Sequence, residues 1–299
     1  MPCYHPQPLY RFLSLDTGAF YFRLKMPSNP RSLSNCKVEE LKRPCGQCIG
    51  CKARANQAMA VRCHHESLMH EDNCWVTFTV DDDYLEMVFP GGSLRYEPFQ
   101  KFLHDFRQLI YPKLIRYYMC GEYGDQLGRP HYHAIIFGWY PDDKIVYKPG
   151  FYLSPTLQKA WPYGQAMIRD YDLSCADYVA GYVLKKVNGR LSKSHYGGRS
   201  PEFARMSLKP GLGEAFLRKY HRDIYRKDQV VLPGRKPQPV PRYYDKKFSE
   251  WSPATMQRLK DERMEPNPDR DWNTTPDRLA VRKQIHLRRS QDSRRHKSL

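Results

Sequence analysis

No uninterrupted apolar stretch in the 299 residues is long enough to cross a membrane. A transmembrane helix needs about 18 or more apolar residues in a row, so no membrane contact is predicted. The opening residues, MPCYHPQPLYRFL, lack the apolar core of a secretory signal peptide. No GxxxxGK(S/T) phosphate-binding loop occurs either, which excludes a helicase motor of that class within the chain. The lack of a membrane span and of a signal peptide predicts a protein of the cytoplasm.

Acidic residues are scarce relative to basic ones. The chain has 49 Lys and Arg against 32 Asp and Glu, which gives a formal net charge of +17. A chain this basic usually binds a polyanion, and nucleic acid is the first expectation. The length accommodates one large or two small domains, and a hydrophobic content of 40% is sufficient for a packed core.

The cysteines are nine in number and therefore cannot all be paired. In a reducing compartment such a pattern favours metal binding over disulfide bonds. Within CGQCIGC, the thiols of Cys45, Cys48 and Cys51 stand at two-residue gaps, which lets a loop wrap around a tetrahedral ion such as Zn²⁺. Free buried thiols and an iron–sulfur cluster are the alternatives. The candidates for a fourth ligand are Cys3, His5 and Cys36, and we assign the place to Cys3.

Two histidines enter a predicted strand in the segment GRPHYHAIIFG. Because strand side chains alternate between faces, His131 and His133 point the same way and can hold one metal ion. The preceding strand is predicted at residues 114–120, with Glu122 just past its end. A hairpin between the two strands would bring Glu122 back beside both histidines, and Asp125 in the connecting loop is the competing carboxylate. Two imidazoles and a carboxylate with open positions suit Mg²⁺ or Mn²⁺.

Two tyrosines stand four residues apart in a segment that is predicted to be helical. Ser174 resembles the first residue of a capping box, and Tyr178 and Tyr182 share one face of the helix that follows. Lys185 and Lys186 lie on or near that face. A phenol has a pKa of about 10 and becomes a nucleophile when a base or a nearby cation favours its phenolate. Taken alone these tyrosines would be packing residues, but with a metal site they predict phosphoryl transfer.

Several motifs together make the chain resemble replication initiators of the HUH endonuclease superfamily, in particular those of the small single-stranded DNA phages, the microviruses. Three motifs carry the resemblance in matching order: WVTFTVDD at residues 75–82, HYH at 131–133 and YVAGYVLKK at 178–186. The strings CGEYGDQLGRPHYH, CGQCIGC, MPCYHP and RYYDK match as well. Residues 191–299 match in short stretches only.

The resemblance implies an endonuclease and ligase that nicks the replication origin. A tyrosine would take the 5′-phosphate and leave a 3′-hydroxyl for rolling-circle synthesis, and a second transfer would rejoin the strand. The implied metal ligands are Glu122, His131 and His133, and the implied catalytic residues are Tyr178, Tyr182, Lys185 and Lys186. The expected partners are single-stranded and origin DNA with a helicase and polymerase of the bacterial host. The alternatives are a relaxase or single-strand transposase of the same chemistry, or a non-catalytic, zinc-stapled DNA-binding protein.

The predicted fold is α+β, a central antiparallel sheet with flanking helices of the HUH endonuclease type. A Cys-rich segment precedes the sheet, and a helical, basic region follows it. The predicted domains are residues 1–73 with the zinc staple, residues 74–190 as the nuclease core, and residues 191–299 as a basic extension with a Pro-rich strap. Residues 1–52 are predicted to be irregular. Residues 139–152 are predicted to form a polar insertion with Pro and Gly, and residues 191–213 to form a loop.

Basic residues are concentrated near the end of the chain, in a helix predicted from about Pro276. Such residues make phosphate contacts that position a nucleic acid and give salt-sensitive affinity. A solvated basic tail is the alternative interpretation. The residues expected to contact DNA are Arg129, Arg282, Lys283, Arg288 and Arg289.

Overall fold

The computed structural model describes residues 2–28, 34–181, 187, 191–265 and 267–295. These residues form two compact units. One combines the two ends of the chain, Met1–Arg54 with Pro266–Leu299, and the other is Ala55–Glu265. Among the described residues, none of the helices has both the length and the apolar character needed to span a lipid bilayer.

The unit formed by the chain ends contains a three-stranded antiparallel sheet in the order β2-β1-β3. Its strands are β1 (Gln7–Ser14), β2 (Phe20–Arg23) and β3 (Cys36–Arg43). The prediction that residues 1–52 are irregular was therefore wrong. The eight residues of β1 pair along their whole length with β3, more than twenty positions later in the chain, and pairing at such a separation leaves no signal in a local window.

The other unit is built on a seven-stranded sheet in the order β10-β5-β6-β4-β9-β8-β7, whose pairs are antiparallel. This confirms the predicted α+β architecture with a large antiparallel sheet. The strands are β4 (Asn73–Phe78), β5 (Arg116–Tyr123), β6 (Pro130–Phe137), β7 (Ile145–Lys148), β8 (Phe151–Leu153), β9 (Ala166–Asp170) and β10 (Phe203–Met206). A further two-stranded pair is made by β11 (Gln229–Val230) and β12 (Gln238–Pro239).

The rest of the regular structure is helical. The helices are α1 (Ile49–Ser67), α2 (Asp82–Val88), α3 (Glu97–Leu109), α4 (Pro155–Ala160), α5 (Leu173–Gly181), α6 (Leu191–Tyr196), α7 (Glu214–Arg226), α8 (Arg242–Trp251), α9 (Pro253–Met264), α10 (Pro268–Trp272) and α11 (Pro276–Arg295). Ser154 caps the N-terminus of α4, because its hydroxyl accepts a hydrogen bond from the Leu157 N–H.

Alternation along the central strands sends side chains to two separate cores. One face of the large sheet packs against α3, where Phe99, Phe102 and Phe106 join Phe78 and Tyr132. The opposite face packs against α1 and α5, and its core includes Trp75, Ile135 and Val179. Since Tyr132 lies in the α3 core, its neighbours His131 and His133 lie on the face toward α5.

Three local predictions were wrong: the place of Glu122, the loop at 191–213 and the cap of α5. Glu122 lies within β5 rather than after a strand. The expected loop at 191–213 contains α6 and β10, which pairs with β5. The insertion predicted at 139–152 holds most of the β7–β8 hairpin, which ends at Leu153. The cap of α5 is Asp172, not Ser174, because its carboxylate accepts the Cys175 N–H at 2.9 Å. β10 is four residues long and β8 is three, too short to show periodicity.

Candidate functional site

The register of three neighbouring strands places the candidate metal ligands together. Glu122 on β5 stands directly opposite His131 on β6, and Cys120 stands opposite His133. On the other side of β6, Thr77 of β4 is the partner of His133. The turn between β5 and β6 is closed by Gly128, whose φ of 62° suits a residue without a Cβ.

Glu122, His131 and His133 converge on one point. His131 Nε2 lies 2.7 Å from Glu122 Oε1, His133 Nε2 lies 2.8 Å from the same oxygen, and the two ring nitrogens are 3.2 Å apart. Neighbouring ligands of an octahedral ion bound at about 2.1 Å are about 3 Å apart. The three atoms therefore fit a small divalent cation, and Asp125, exposed in the turn, is not part of the group.

Groups behind the histidines orient their rings. The Nδ1–H of His131 donates to the carbonyl oxygen of Arg129 at 3.0 Å, which leaves the lone pair of a neutral ring on Nε2, facing Glu122. His133 Nδ1 is hydrogen-bonded to the Thr77 hydroxyl at 2.9 Å, and the Trp75 indole N–H donates to that hydroxyl at 3.1 Å. Such outer partners fix the tautomer and the direction of metal-binding histidines.

The electrostatics of this group favour a cation. Burial raises the pKa of the Glu122 carboxyl, but hydrogen bonds with His131 and His133 outweigh burial and hold that pKa below its ordinary value. Its second oxygen, Oε2, is buried with no hydrogen-bond partner among the described residues. A buried carboxylate oxygen without a donor is costly, and a bound cation would satisfy it.

Tyr178 lies beside this group. It projects from α5, is 46% exposed, and its ring centroid is 5.3 Å from that of His133 and 5.0 Å from that of Trp75. The helix is held in place by Asp177, one residue earlier, whose Oδ1 accepts a hydrogen bond from Arg235 at 2.9 Å. Three other predicted site residues lie outside the described residues: Tyr182, Lys185 and Lys186.

A cleft borders the same group. It has a volume of about 400 Å³ and is lined by His131, Thr77, Thr79 and the turn at 124–127. Arg129, predicted to contact DNA, also lines it, but forms an ion pair with Asp82 at 2.5 Å and donates to the Val80 carbonyl. Through these two contacts Arg129 holds the β5–β6 turn against the residues that follow β4.

Four cysteines form a second candidate metal group. The Sγ atoms of Cys3, Cys45, Cys48 and Cys51 lie within 4.8 Å of one another. Cys45 Sγ is 4.0 Å from Cys51 Sγ, and Cys48 Sγ is 3.9 Å from Cys3 Sγ. A tetrahedral Zn²⁺ with bonds of 2.3 Å separates its sulfurs by about 3.8 Å, so the spacing fits. His5 and Cys36, the other candidates for the fourth place, are not in the group.

The surroundings of the four thiols favour thiolates at part of the cluster. Partial burial of the Cys48 thiol raises its pKa, but hydrogen bonds from the Tyr4 and Cys51 N–H groups and from thiols outweigh this and lower the pKa to about 6. Burial raises the pKa of Cys51 to about 12. The Cys45 N–H donates to Cys3 Sγ at 3.2 Å. A metal ion would allow all four sulfurs to be thiolates.

The basic residues predicted for DNA contact in α11 lie on the unit of the chain ends. Arg282 donates to the Asn273 carbonyl at 3.0 Å, and the Lys283 ammonium is 2.9 Å from His5 Nε2. Arg288 and Arg289 are exposed.

Thr77 and Trp75 were not predicted as site residues, although both belong to the motif WVTFTVDD on which the resemblance depends.

Comparison with known proteins identifies relatives of this chain. Residues 73–187 match the family described as Replication-associated protein ORF2/G2P. The chain is 32% identical over 213 residues to Replication-associated protein VP4 of Bdellovibrio phage phiMH2K, covering 67% of this chain and 65% of that protein. It is 30% identical to Replication-associated protein ORF4 of Chlamydia phage 1, covering 67% of this chain and 52% of that protein. It is 29% identical to Replication-associated protein ORF2 of Spiroplasma virus 4, covering 70% and 68%.

These matches confirm the predicted resemblance to replication-associated proteins of phages. The matched part of the chain spans about half to two thirds of the length of these relatives. No solved structure matches the chain.

Proposed function

We propose, from the match of residues 73–187 to a phage replication-associated family, that this chain is a replication initiator that nicks and rejoins DNA as an HUH endonuclease. One observation carries the proposal. Glu122, His131 and His133 converge on one point, and the ring of Tyr178 stands 5.3 Å from that of His133. A metal site next to an exposed phenol is the arrangement that phosphoryl transfer by tyrosine requires.

In the proposed reaction the Tyr178 oxygen attacks a phosphodiester of single-stranded origin DNA. The bond from the tyrosine oxygen to phosphorus forms as the bond from phosphorus to the 3′ oxygen breaks. The phenol proton leaves the tyrosine, and the departing strand takes a proton as its 3′-hydroxyl. The product keeps a 5′-phosphotyrosine, so no bond energy is lost to water and the strand can be rejoined by the reverse reaction.

The chain's own residues would position the phosphate. Glu122, His131 and His133 would hold Mg²⁺ or Mn²⁺, and the ion would supply neutralisation of the charge that develops on the phosphate oxygens. Thr77 and the Arg129 carbonyl keep the two imidazole lone pairs aimed at the site. The cleft beside His131 gives a strand access to this point.

The resemblance assigns the remaining roles. Tyr182, four residues after Tyr178 in the sequence, would make a second transfer that closes the finished circle. Lys185 or Lys186 would orient the phosphate or stabilise a phenolate. The free 3′-hydroxyl would prime rolling-circle synthesis by a host polymerase, with a host helicase to separate the strands, in the cytoplasm of the bacterial host. Zn²⁺ at the four cysteines would have a structural role.

The proposal is tested with single-stranded oligonucleotides that tile the genome encoding the chain. We expect one of them to be cleaved in Mn²⁺ and not in EDTA, with a protein band shifted by the attached strand. His131→Ala and His133→Ala should each abolish the shifted band, and mass mapping should place the strand on Tyr178 or Tyr182. Full activity of either histidine variant would reject the metal site.

Two other results would change the assignment. If no oligonucleotide is cleaved under any metal, the chain is better described as a non-catalytic, zinc-stapled DNA-binding protein. If Tyr178→Phe/Tyr182→Phe still forms the covalent band, the nucleophile is a different residue. A relaxase or transposase would cleave a transfer or transposon-end sequence in place of the phage origin.

A further inference from the structure

A cavity of about 790 Å³ lies in the unit formed by the two chain ends. Pockets that bind small ligands usually measure about 300–1,000 Å³, so its size suits a nucleotide or a short piece of a strand. Its walls come from the end of β3, the first turns of α1, the segment around α10, and α11. Cys3 of the four-cysteine group also lines it.

Positive charge surrounds this cavity from three separate elements. The basic lining residues are Lys42, Arg43, Arg54 and Arg282, and Asp269 is the one acidic residue in the described lining. A concave surface lined by charges of one sign concentrates their field and attracts ions of the opposite sign. The lining carries four positive charges against one negative charge, so its field favours an anion.

Two of these guanidinium groups are held in place by neutral partners. Arg43 donates to the side-chain oxygen of Gln7 at 2.7 Å, and its Nε is buried without a hydrogen-bond partner among the described residues. Arg282 donates to the Asn273 carbonyl at 3.0 Å. Within the described part of the chain neither forms an ion pair with an acidic side chain. They are thus positioned but not neutralised, as a phosphate site requires.

We infer that this cavity binds the phosphate backbone of a single DNA strand, at a site separate from the Glu122, His131 and His133 group. The inference rests on the proposed role in DNA replication for the identity of the anion. The binding itself requires no cleavage. Three elements that meet from different parts of the chain can contact successive phosphates of a strand, whereas a single free phosphate would use only part of the cavity.

The test compares two sets of variants in a His131→Ala/His133→Ala background, where cleavage is not expected. Lys42→Gln/Arg43→Gln/Arg282→Gln removes three charges from the cavity. The matched control, Lys25→Gln/Lys37→Gln/Arg23→Gln, removes three charges from the β1–β3 sheet and its flank, outside the cavity lining. Affinity for a fluorescent twenty-nucleotide poly(dT) strand is measured by anisotropy between about 50 and 200 mM salt.

We expect the cavity variant to bind at least tenfold more weakly than the control. The slope of log affinity against log salt should become shallower by about 2, because each lost phosphate contact on a single strand contributes about 0.7. A charge-preserving variant, Lys42→Arg/Arg43→Lys, should bind like the parent. Thermal unfolding of every variant is measured in parallel, so that a misfolded protein is recognised and replaced by the corresponding single substitutions.

Three outcomes would overturn the inference. The first is equal affinity and equal salt slope for the cavity variant and the control. The second is loss of binding in the charge-preserving variant, which would indicate packing instead of charge. The third is displacement of the strand by dTMP or inorganic phosphate at concentrations equal to those of the strand itself, which would make a free nucleotide or phosphate the ligand. Failure of the parent chain to nick DNA would reject the proposed function. It would not affect the comparison of DNA affinity between the cavity variant and the control.

Discussion

Glu122 and His131 face each other directly across the β5–β6 pair, and His131 Nε2 lies 2.7 Å from Glu122 Oε1. Because the Nδ1–H of His131 is used by the Arg129 carbonyl, a neutral His131 ring presents a lone pair to a carboxylate oxygen. Two lone pairs at this distance require a shared proton or a cation between them. This cross-strand pair is therefore the structural basis for a metal site at the sheet.

The choice of carboxylate leads to a first prediction. Glu122→Gln should weaken Mn²⁺ binding by more than the roughly 10–100-fold that loss of an outer partner costs, because it removes a direct ligand and its charge. Asp125→Asn, in the exposed turn, is the matched control and should bind Mn²⁺ like the parent. Electron paramagnetic resonance titration of free Mn²⁺ measures both. The opposite ranking would make Asp125 the ligand.

The hydroxyl behind His133 leads to a second prediction. Thr77→Val removes the group that contacts His133 Nδ1 and accepts the Trp75 N–H, while the shape of the side chain is kept. We expect Mn²⁺ affinity to fall about 10–100-fold with little change in unfolding temperature. Thr79→Val is the control, since the Thr79 hydroxyl donates to the Gln165 carbonyl and is exposed. Equal effects of the two substitutions would show that Thr77 does not orient the histidine.

The four-cysteine group leads to a third prediction. The parent chain should contain about one zinc ion, held by four thiolates. Cys45→Ser/Cys48→Ser should lose that zinc and lower the unfolding temperature of the chain, because zinc binding and folding are coupled. Cys36→Ser is the control, since Cys36 lies outside the group. Mass spectrometry of the metal content measures the stoichiometry, and unchanged zinc in the double variant would refute the site.

A buried histidine that belongs to neither candidate metal group leads to a fourth prediction, on pH. His65 is 4% exposed, its Nδ1 is 3.0 Å from the Tyr244 hydroxyl, and burial lowers its pKa from the ordinary 6.5 to about 3, with His64 adding to the effect. The unfolded chain binds a proton at this residue below about pH 6.5, and the folded chain does not. The contribution of neutral His65 to the free energy of unfolding is therefore complete above about pH 6.5. It is lost as the pH falls toward 3.

Between pH 6.5 and 5 this single group should reduce the free energy of unfolding by up to about 2 kcal/mol. Urea unfolding at both pH values measures the difference, which should shrink in His65→Gln. His104→Gln, at an exposed position, serves as the control. A pH dependence that is the same in His65→Gln as in the parent would show that other groups cause it.

Local patterns in the sequence were sufficient for part of the fold and of the site. The period of two in a strand puts His131 and His133 on one face whatever the rest of the chain does. The two-residue gaps in CGQCIGC likewise keep Cys45, Cys48 and Cys51 close together, with Cys51 in the first turn of α1. The phenylalanines Phe99, Phe102 and Phe106 recur at helical spacing, and they form the buried face of the helix at Glu97–Leu109.

Tertiary structure decided which partners complete these local features. Glu122 and not Asp125 joins the histidines, because the register of β5 on β6 sets Glu122 opposite His131. Cys3 and not His5 or Cys36 joins the other cysteines, because the fold places the first residues of the chain beside the CGQCIGC segment. Thr77 contacts His133 only because β4 pairs with β6.

The basic cavity is the clearest case of a feature that only the tertiary structure decides. Lys42, Arg43, Arg54 and Arg282 come from β3, α1 and α11, and more than 200 residues separate Arg54 from Arg282 in the chain. The sequence determines that positive charge is abundant and that a polyanion is the expected partner. Where those charges meet depends on contacts between distant segments. A local pattern of residues does not predict such contacts.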